Sequence, residues 1–152
     1  EQKVPEEAEV DGNDEQAFHI VCYAPNHVNA SGDVVSSIVA TGRVLIVPAP
    51  NTSHATSDTT GTVSSKNGPS THAILGRIAV HADHRGKGIG RRIVQELERI
   101  AHTEGAIKAT LTPHHYLERF YASLGYTKIP RGQELIWINE FCQLISMEKS
   151  LL

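Results

Sequence analysis

The sequence predicts an α/β layer structure with a mixed sheet. Three observations predict it: strand-like apolar runs fill the first third, an amphipathic helix follows a buried strand near the middle, and strands and helices alternate thereafter. The chain has 152 residues, so we expect one domain over residues 1–152 with a core of ordinary size.

The first half of the chain predicts strands and one long loop. Residues 17–24 predict a strand, and residues 34–50 predict one longer strand or a bent pair. The segment 25–33 supplies the turn residues between them. Residues 51–71 carry almost no apolar side chains, so we expect a mobile Ser/Thr-rich loop. Residues 1–15 are acidic, and we expect them to be irregular.

The second half predicts alternating strands and helices. Residues 73–80 predict a buried strand, after which a helix runs from Gly88 to Gly105. Its apolar residues recur at helical spacing, at Ile89, Ile93, Val94, Leu97, Ile100 and Ala101. The remaining predicted elements are a strand at 107–111, a helix at 116–125 with Leu117, Phe120, Tyr121 and Leu124 as its apolar stripe, and strands at 126–129 and 142–149.

Composition limits the classes of function. The net charge of −3 gives no general basic excess, so we expect no nucleic-acid partner. No apolar run approaches the roughly 20 residues of a membrane span, and we expect no membrane association. Cys22 and Cys142 fit no metal-ligand pattern, and His81–His84 (HADH) lacks a further ligand at suitable spacing, so we expect no metal. Reduced thiols favour the cytoplasm, with the nucleus as an alternative.

The segment HRGKGIGRR (84–92) predicts an anion-binding site. Glycines let the backbone approach a ligand closely, and the N-terminus of a helix adds partial positive charge. The P-loop pattern fails because no Ser or Thr follows Lys87. The dinucleotide-binding pattern fails because Gly86, Gly88 and Gly90 are spaced G-x-G-x-G.

The segment RGKGIG (85–90) matches [RQ]-x-x-G-x-[GA], the pyrophosphate loop of the GNAT N-acetyltransferases. With RFYASLGY (119–126), the chain resembles this superfamily over about residues 15–149, and most closely its ElaA-like branch. The leader EQKVPEEAEVDGND (1–14) is similar to that branch at Glu1, Gln2, Pro5, Glu9, Asp11 and Asp14. The resemblance implies the GNAT fold, in which a mixed, mostly antiparallel central sheet is flanked by helices, with the first strand and helix of that fold upstream of residue 1.

The resemblance also implies an activity, which is acetyl transfer from acetyl-CoA, as cosubstrate, to a primary amine of a small molecule or peptide. Backbone groups of Ile78, Ala79 and Val80 would pair with the pantetheine arm. The loop residues implied to hold the pyrophosphate are Arg85, Gly86, Lys87, Gly88, Ile89, Gly90 and Arg91, with the side chain of Ile89 in the core. Tyr121 would protonate the departing thiolate, since a phenol with a pKa near ~10 keeps its proton at pH 7.

Several alternatives stay open from the sequence. Tyr121 is also explained as a core residue at helical spacing from Leu117. The general base is undetermined, because the strand before the loop carries no carboxylate; the nearby candidates are His114, His115, Glu118 and Glu134. The rival functions are a CoA-binding sensor without turnover and a nucleotide-phosphate binding protein. We expect acceptor specificity to come from loops at 26–33 and 130–141, and a homodimer is left open.

Overall fold

The computed structural model describes residues 11–25, 27–28, 31–48, 71–130, 136–139 and 142–152. The Ser/Thr-rich segment predicted to be mobile lies outside the described residues, except for Thr71. Most of the leader lies outside them as well; its described part contains a single 3-10 turn, Asp14–Gln16.

The described residues form ten strands. In chain order they are β1 (Phe18–Tyr23), β2 (His27–Val28), β3 (Val34–Val35), β4 (Ile38–Pro48), β5 (Thr71–Val80), β6 (Ala106–Leu111), β7 (Thr127–Lys128), β8 (Ile136–Asn139), β9 (Cys142–Leu144) and β10 (Met147–Ser150). Six of them build one sheet in the order β1-β4-β5-β6-β10-β7. Within it only β5 and β6 run parallel, which confirms the mixed, mostly antiparallel sheet.

Among the described residues, two α-helices accompany the sheet, α1 (Ile89–Thr103) and α2 (Glu118–Ala122), and 3-10 turns precede them at Ala82–His84 and His115–Leu117. The predicted apolar stripe of α1 is confirmed: Ile93, Val94, Leu97 and Ala101 are buried, and Ile89 and Ile100 pack at the margin of the core. Each large apolar side chain buried in this way contributes about 1.5–3 kcal/mol to stability.

Helix α1 lies close to β4 because Gly42 has no side chain. A Cβ atom at Gly42 would stand 2.6 Å from Ile93 Cγ2 and 3.0 Å from Leu97 Cδ1. A contact under 3.0 Å requires neighbouring atoms to move, so the absence of a Cβ here sets the depth at which α1 packs on the sheet.

The structure differs from several of the predicted elements. The expected turn at 25–33 contains β2, which pairs with β3. The strand expected at 142–149 divides into β9 and β10, because β9 pairs with β8 whereas β10 pairs with β6 and β7. Strand β8 lies in the segment 130–141 that was expected to be a loop. Strand β5 begins at Thr71, because pairing with β4 continues to Pro48.

Candidate functional site

The first feature of the candidate site is an open strand edge. The parallel ladder between β5 and β6 ends at the pair Ile74–Thr110, whereas the ladder between β5 and β4 continues to Val80. Beyond Ile74, no described strand pairs with β5 on the β6 side. The last part of β5 therefore presents a backbone edge that no described strand covers, to which an extended ligand could add like a strand. On this edge the carbonyl oxygen of Val80 already accepts from Arg85 Nε at 3.0 Å.

Backbone groups alternate along this edge. The N–H of His81 donates to the carbonyl oxygen of Val39 on β4 at 2.8 Å. Since successive residues of a strand face opposite sides, the backbone of Ala79 also faces β4, and that of Ile78 and Val80 faces the open edge. Of the three residues implied to bind pantetheine, the structure thus brings Ile78 and Val80 to the edge and turns Ala79 away from it.

The glycine loop joins this edge to the start of α1. Gly86 and Gly88 adopt φ values of 73° and 77°, in the left-handed region that glycine occupies without steric cost. A Cβ at either residue would have no atom within 4 Å, so the space above both is open. At Gly90 a Cβ would make ordinary contacts of 3.6 Å with Phe120 and 3.7 Å with Val80. Close packing therefore does not require a glycine at this position.

The loop also leaves backbone amides available to an anion. The N–H of Arg85 is used within the loop, where it donates to the carbonyl oxygen of Ala82 at 3.1 Å. The first bond of α1 runs from the N–H of Arg92 to the carbonyl oxygen of Gly88 at 3.2 Å. The amides between these two, from Gly86 onward, lie in the loop and in the first turn of the helix, where the helix itself supplies no acceptor.

The loop and the first turn of α1 carry the basic side chains of Arg85, Lys87 and Arg91. Arg85 Nε donates to the carbonyl oxygen of Val80 at 3.0 Å, Lys87 Nζ to that of Asp83 at 2.9 Å, and an Arg91 amine to Ser123 Oγ at 3.0 Å. Each of these partners is a neutral oxygen, so these bonds hold the side chains in place without cancelling their positive charge. Together with the dipole of α1, this arrangement suits a di-anionic phosphate group.

Helix α2 packs beside the loop and carries Tyr121. Contact is made by Phe120, which lies next to Gly90, and by Ser123, which accepts the bond from Arg91. The Tyr121 ring packs edge-to-face on Phe120 at 4.9 Å and on Tyr126 at 5.9 Å between centroids. Only 6% of Tyr121 is exposed, and this burial raises the pKa of its hydroxyl above the usual value.

Behind Tyr121 lies a second buried tyrosine with a different environment. Burial and the nearby Glu98 carboxylate raise the pKa of the Tyr126 hydroxyl. Lys149 Nζ contacts Glu98 Oε2 at 2.7 Å. The remaining carboxylate oxygen of Glu98 and the Tyr126 hydroxyl are both buried without a hydrogen bond in the described part of the chain, so the geometry between them falls short of one.

The structure assigns no general base. His114 stacks on Tyr116 at 5.2 Å, His115 is exposed, and Glu118 forms an ion pair with Lys128 at 2.9 Å. Glu134 lies outside the described residues. Within the described ranges, no group of three or more His, Cys, Asp or Glu residues could hold a metal ion, and His81 and Asp83 stand 3.7 Å apart as an exposed pair.

A charged cluster on the sheet was not predicted from the sequence. Arg43, in the middle of β4, is 8% exposed and binds Asp11 and Asp14 from the leader, and Asp11 also lies near Arg77 on β5. A lone arginine inside the apolar run VATGRVLIV was the available signal, because a buried guanidinium requires carboxylate partners.

Comparison with known proteins places these features in a family. The sequence matches the family described as "Acetyltransferase (GNAT) family" over residues 11–126, well over half of the chain. None of the helices that the structure describes combines the length and apolar character needed to span a bilayer.

Solved structures share the fold at low sequence identity. A Lactobacillus plantarum protein provisionally assigned as an N-acetyltransferase is 19% identical with a TM-score of 0.62, covering 99% of this chain and 81% of its own. An aminoglycoside 6'-N-acetyltransferase complexed with coenzyme A is 16% identical, with a TM-score of 0.57 and coverages of 97% and 79%. Escherichia coli ElaA is 19% identical, with a TM-score of 0.50 and coverages of 76% and 66%.

Proposed function

Because the chain belongs to the GNAT acetyltransferase family, we propose that it transfers an acetyl group from acetyl-CoA to a primary amine of a small molecule or peptide. The single observation that carries the proposal is the continuity of an open strand edge at Ile78–Val80 with a left-handed glycine loop at the start of α1. An extended arm ending in a pyrophosphate is complementary to both parts at once.

The proposed division of labour follows from the groups in place. The N–H and carbonyl of Ile78 and the N–H of Val80 would pair with the amide groups of the pantetheine arm as an added strand pairs with its neighbour. The amides from Gly86 to Arg91 would bind the pyrophosphate, with the charges of Arg85, Lys87 and Arg91 around it.

The proposed reaction forms one bond and breaks one. The lone pair of the amine attacks the thioester carbonyl carbon, the new C–N bond forms, and the C–S bond breaks. The amine loses one proton to solvent or to a base not yet assigned. The departing thiolate gains a proton from the Tyr121 hydroxyl, which the raised pKa of Tyr121 keeps protonated at neutral pH, and Tyr121 then recovers its proton from solvent.

Two measurements on the wild-type protein test the proposal. In the first, thermal unfolding is followed with acetyl-CoA and, separately, with ATP, because a ligand that binds only the native state raises the Tm. In the second, thiol release from acetyl-CoA is followed with a panel of small primary amines and peptides with free α-amino or lysine amines.

The outcomes separate the rival functions. A rise in Tm with acetyl-CoA together with amine-dependent thiol release supports the acetyltransferase. Stabilisation by acetyl-CoA without release for any amine would favour the CoA-binding sensor. Stabilisation by ATP alone would favour a nucleotide-phosphate site and contradict the proposal.

A further inference from the structure

Four charged side chains form a cluster on the face of the sheet opposite α1, which we name the carboxylate clasp: Asp11, Asp14, Arg43 and Arg77. The two amines of Arg43 donate to the two oxygens of Asp11 at 2.8 and 2.6 Å, and one of them also donates to Asp14 at 2.6 Å. Asp11 Oδ2, one of these two oxygens, also lies 3.7 Å from an Arg77 amine. One carboxylate of the leader therefore connects β4 to β5.

The clasp spans an irregularity in the pairing of these strands. Thr41 pairs with Ala79 and Arg43 with Gly76, so that Arg77 and Ile78 together stand opposite the single residue Gly42. This is a β-bulge, which bends its strand and redirects the residues that follow it. The Thr41 hydroxyl donates to the carbonyl oxygen of Arg77 at 3.1 Å and gives the displaced carbonyl a partner.

Arg77 holds an uncommon backbone conformation at this bulge. Its φ is 53°, the only positive φ of a non-glycine residue in the described part of the chain. An L-residue with a Cβ is disfavoured in the left-handed region by roughly tenfold, so other interactions must hold it there. Two described contacts act on this residue: the Thr41 hydroxyl bonds its backbone carbonyl, and Asp11 lies 3.7 Å from its guanidinium.

The bulge lies where β5 leaves β6. The last β5–β6 pair is Ile74–Thr110, and the bulge follows within three residues. The bulge determines which of the following residues turn their backbone groups toward β4 and which turn them toward the open edge. With the bulge in place, the backbone groups of Ile78 and Val80 face the open edge. A bulge that relaxed into regular pairing would shift this alternation by one residue and turn these groups toward β4.

From this geometry we infer that Asp11 and Arg77 are positioning residues for the pantetheine part of acetyl-CoA: the clasp stabilises the left-handed bulge at Arg77, and the bulge presents the strand edge. The inference rests on the proposed function. It assigns the two residues no contact with acetyl-CoA and no part in binding the pyrophosphate.

Substitutions at Arg77 separate positioning from general support of the fold. Arg77→Gln removes the charge but keeps the Cβ, so the bulge loses its tie and keeps its backbone cost. Arg77→Gly removes the contact with Asp11 and also the backbone cost, because glycine adopts a positive φ freely. Neither variant changes the bonds from Arg43 to Asp11 and Asp14. If the carboxylate clasp acts through the backbone of Arg77, Arg77→Gly regains the acetyl-CoA affinity that Arg77→Gln loses.

The test is calorimetric titration of each variant with two ligands. One is acetyl-CoA; the other is adenosine 3′-phosphate 5′-diphosphate, which contains the pyrophosphate and lacks pantetheine. We expect Arg77→Gln and Asp11→Asn to bind acetyl-CoA about threefold to fivefold more weakly, with binding of the second ligand unchanged. Arg77→Gly should regain most of the lost affinity, and adding Asp11→Asn to it should cause little further loss.

A matched control removes a carboxylate elsewhere. Glu96→Gln breaks the exposed ion pair with Arg99 on α1 and should leave both affinities at the wild-type level. Equal losses in Arg77→Gln and Arg77→Gly, equal weakening of both ligands, or unchanged acetyl-CoA affinity in Arg77→Gln would overturn the inference. If Asp11→Asn does not fold, the two Arg77 variants decide alone. A wild-type protein that binds neither ligand contradicts the proposed function, and the inference falls with it.

Discussion

Tyr121 has a packed ring and a hydroxyl whose pKa is raised by burial. The ring makes edge-to-face contacts with Phe120 and Tyr126, as expected if Tyr121 is a core residue. The hydroxyl carries its proton at physiological pH, as an acid must, although the raised pKa makes it a weaker donor than an exposed tyrosine. The two readings therefore differ only in what the hydroxyl does during turnover.

Tyr121→Phe separates them. The substitution keeps the ring contacts, so we expect the Tm and acetyl-CoA affinity to stay near wild type, while kcat falls by about 10² to 10⁴ if the hydroxyl is the acid. The matched control is Tyr126→Phe, which removes a buried hydroxyl that makes no hydrogen bond in the described residues and should leave kcat unchanged. Full activity in Tyr121→Phe would return Tyr121 to a purely structural role.

The packing of α1 on β4 depends on one glycine. We expect Gly42→Ala to lower the stability by about 1–3 kcal/mol, because the added methyl overlaps Ile93 and Leu97 in a packed core. Gly76→Ala on the neighbouring strand is the control, since a Cβ there has no atom within 4 Å and should cost little. Denaturant unfolding of both variants measures the difference, and equal stabilities would contradict a tight α1–β4 contact.

Helices and long strands of this fold were predictable from the sequence, and the short hairpins were not. The α1 stripe and the run 73–80 depend on local periodicity, which the sequence displays directly. Strands β2 and β8 have two and four residues, and each exists only because a neighbour pairs with it. The partners of Arg43 were equally hidden, because Asp11 is 32 residues away in sequence.

For the candidate site, the sequence predicted the loop but not the orientation of its strand edge. The glycines of RGKGIG indicate an anion site because their spacing is local. The orientation of Ile78, Ala79 and Val80 depends on a bulge whose backbone conformation occurs at an arginine, where no residue preference indicates it. Only the structure shows that Ala79 faces β4.

The stability of the whole molecule should depend on pH through Asp11. Its hydrogen bonds to Arg43 and to the N–H of Asn13 hold the pKa of the carboxyl well below its usual range. Because the folded-state pKa is the lower one, the contribution to stability is complete above the unfolded pKa of about 4 and is lost as the pH falls toward the folded value.

Urea unfolding of the wild type and Asp11→Asn between pH 7 and pH 2.5 tests this dependence. We expect the wild type to be the more stable at pH 6–7, and the difference between the two proteins to narrow steadily below about pH 4. A difference that stays constant down to pH 2.5 would show that Asp11 is not linked to folding through its ionisation.

The binding of acetyl-CoA at the glycine loop is tested most directly by calorimetric titration of Gly88→Val beside Gly32→Val. Both glycines have a positive φ, 77° and 87°, and open space where a Cβ would stand, so valine imposes a similar backbone cost at each. Only Gly88 lies in the loop, where the valine side chain would fill the space above the amides. We predict that Gly32→Val binds acetyl-CoA like the wild type and that Gly88→Val binds it at least tenfold more weakly; equal affinities of the two variants would contradict acetyl-CoA binding at this loop.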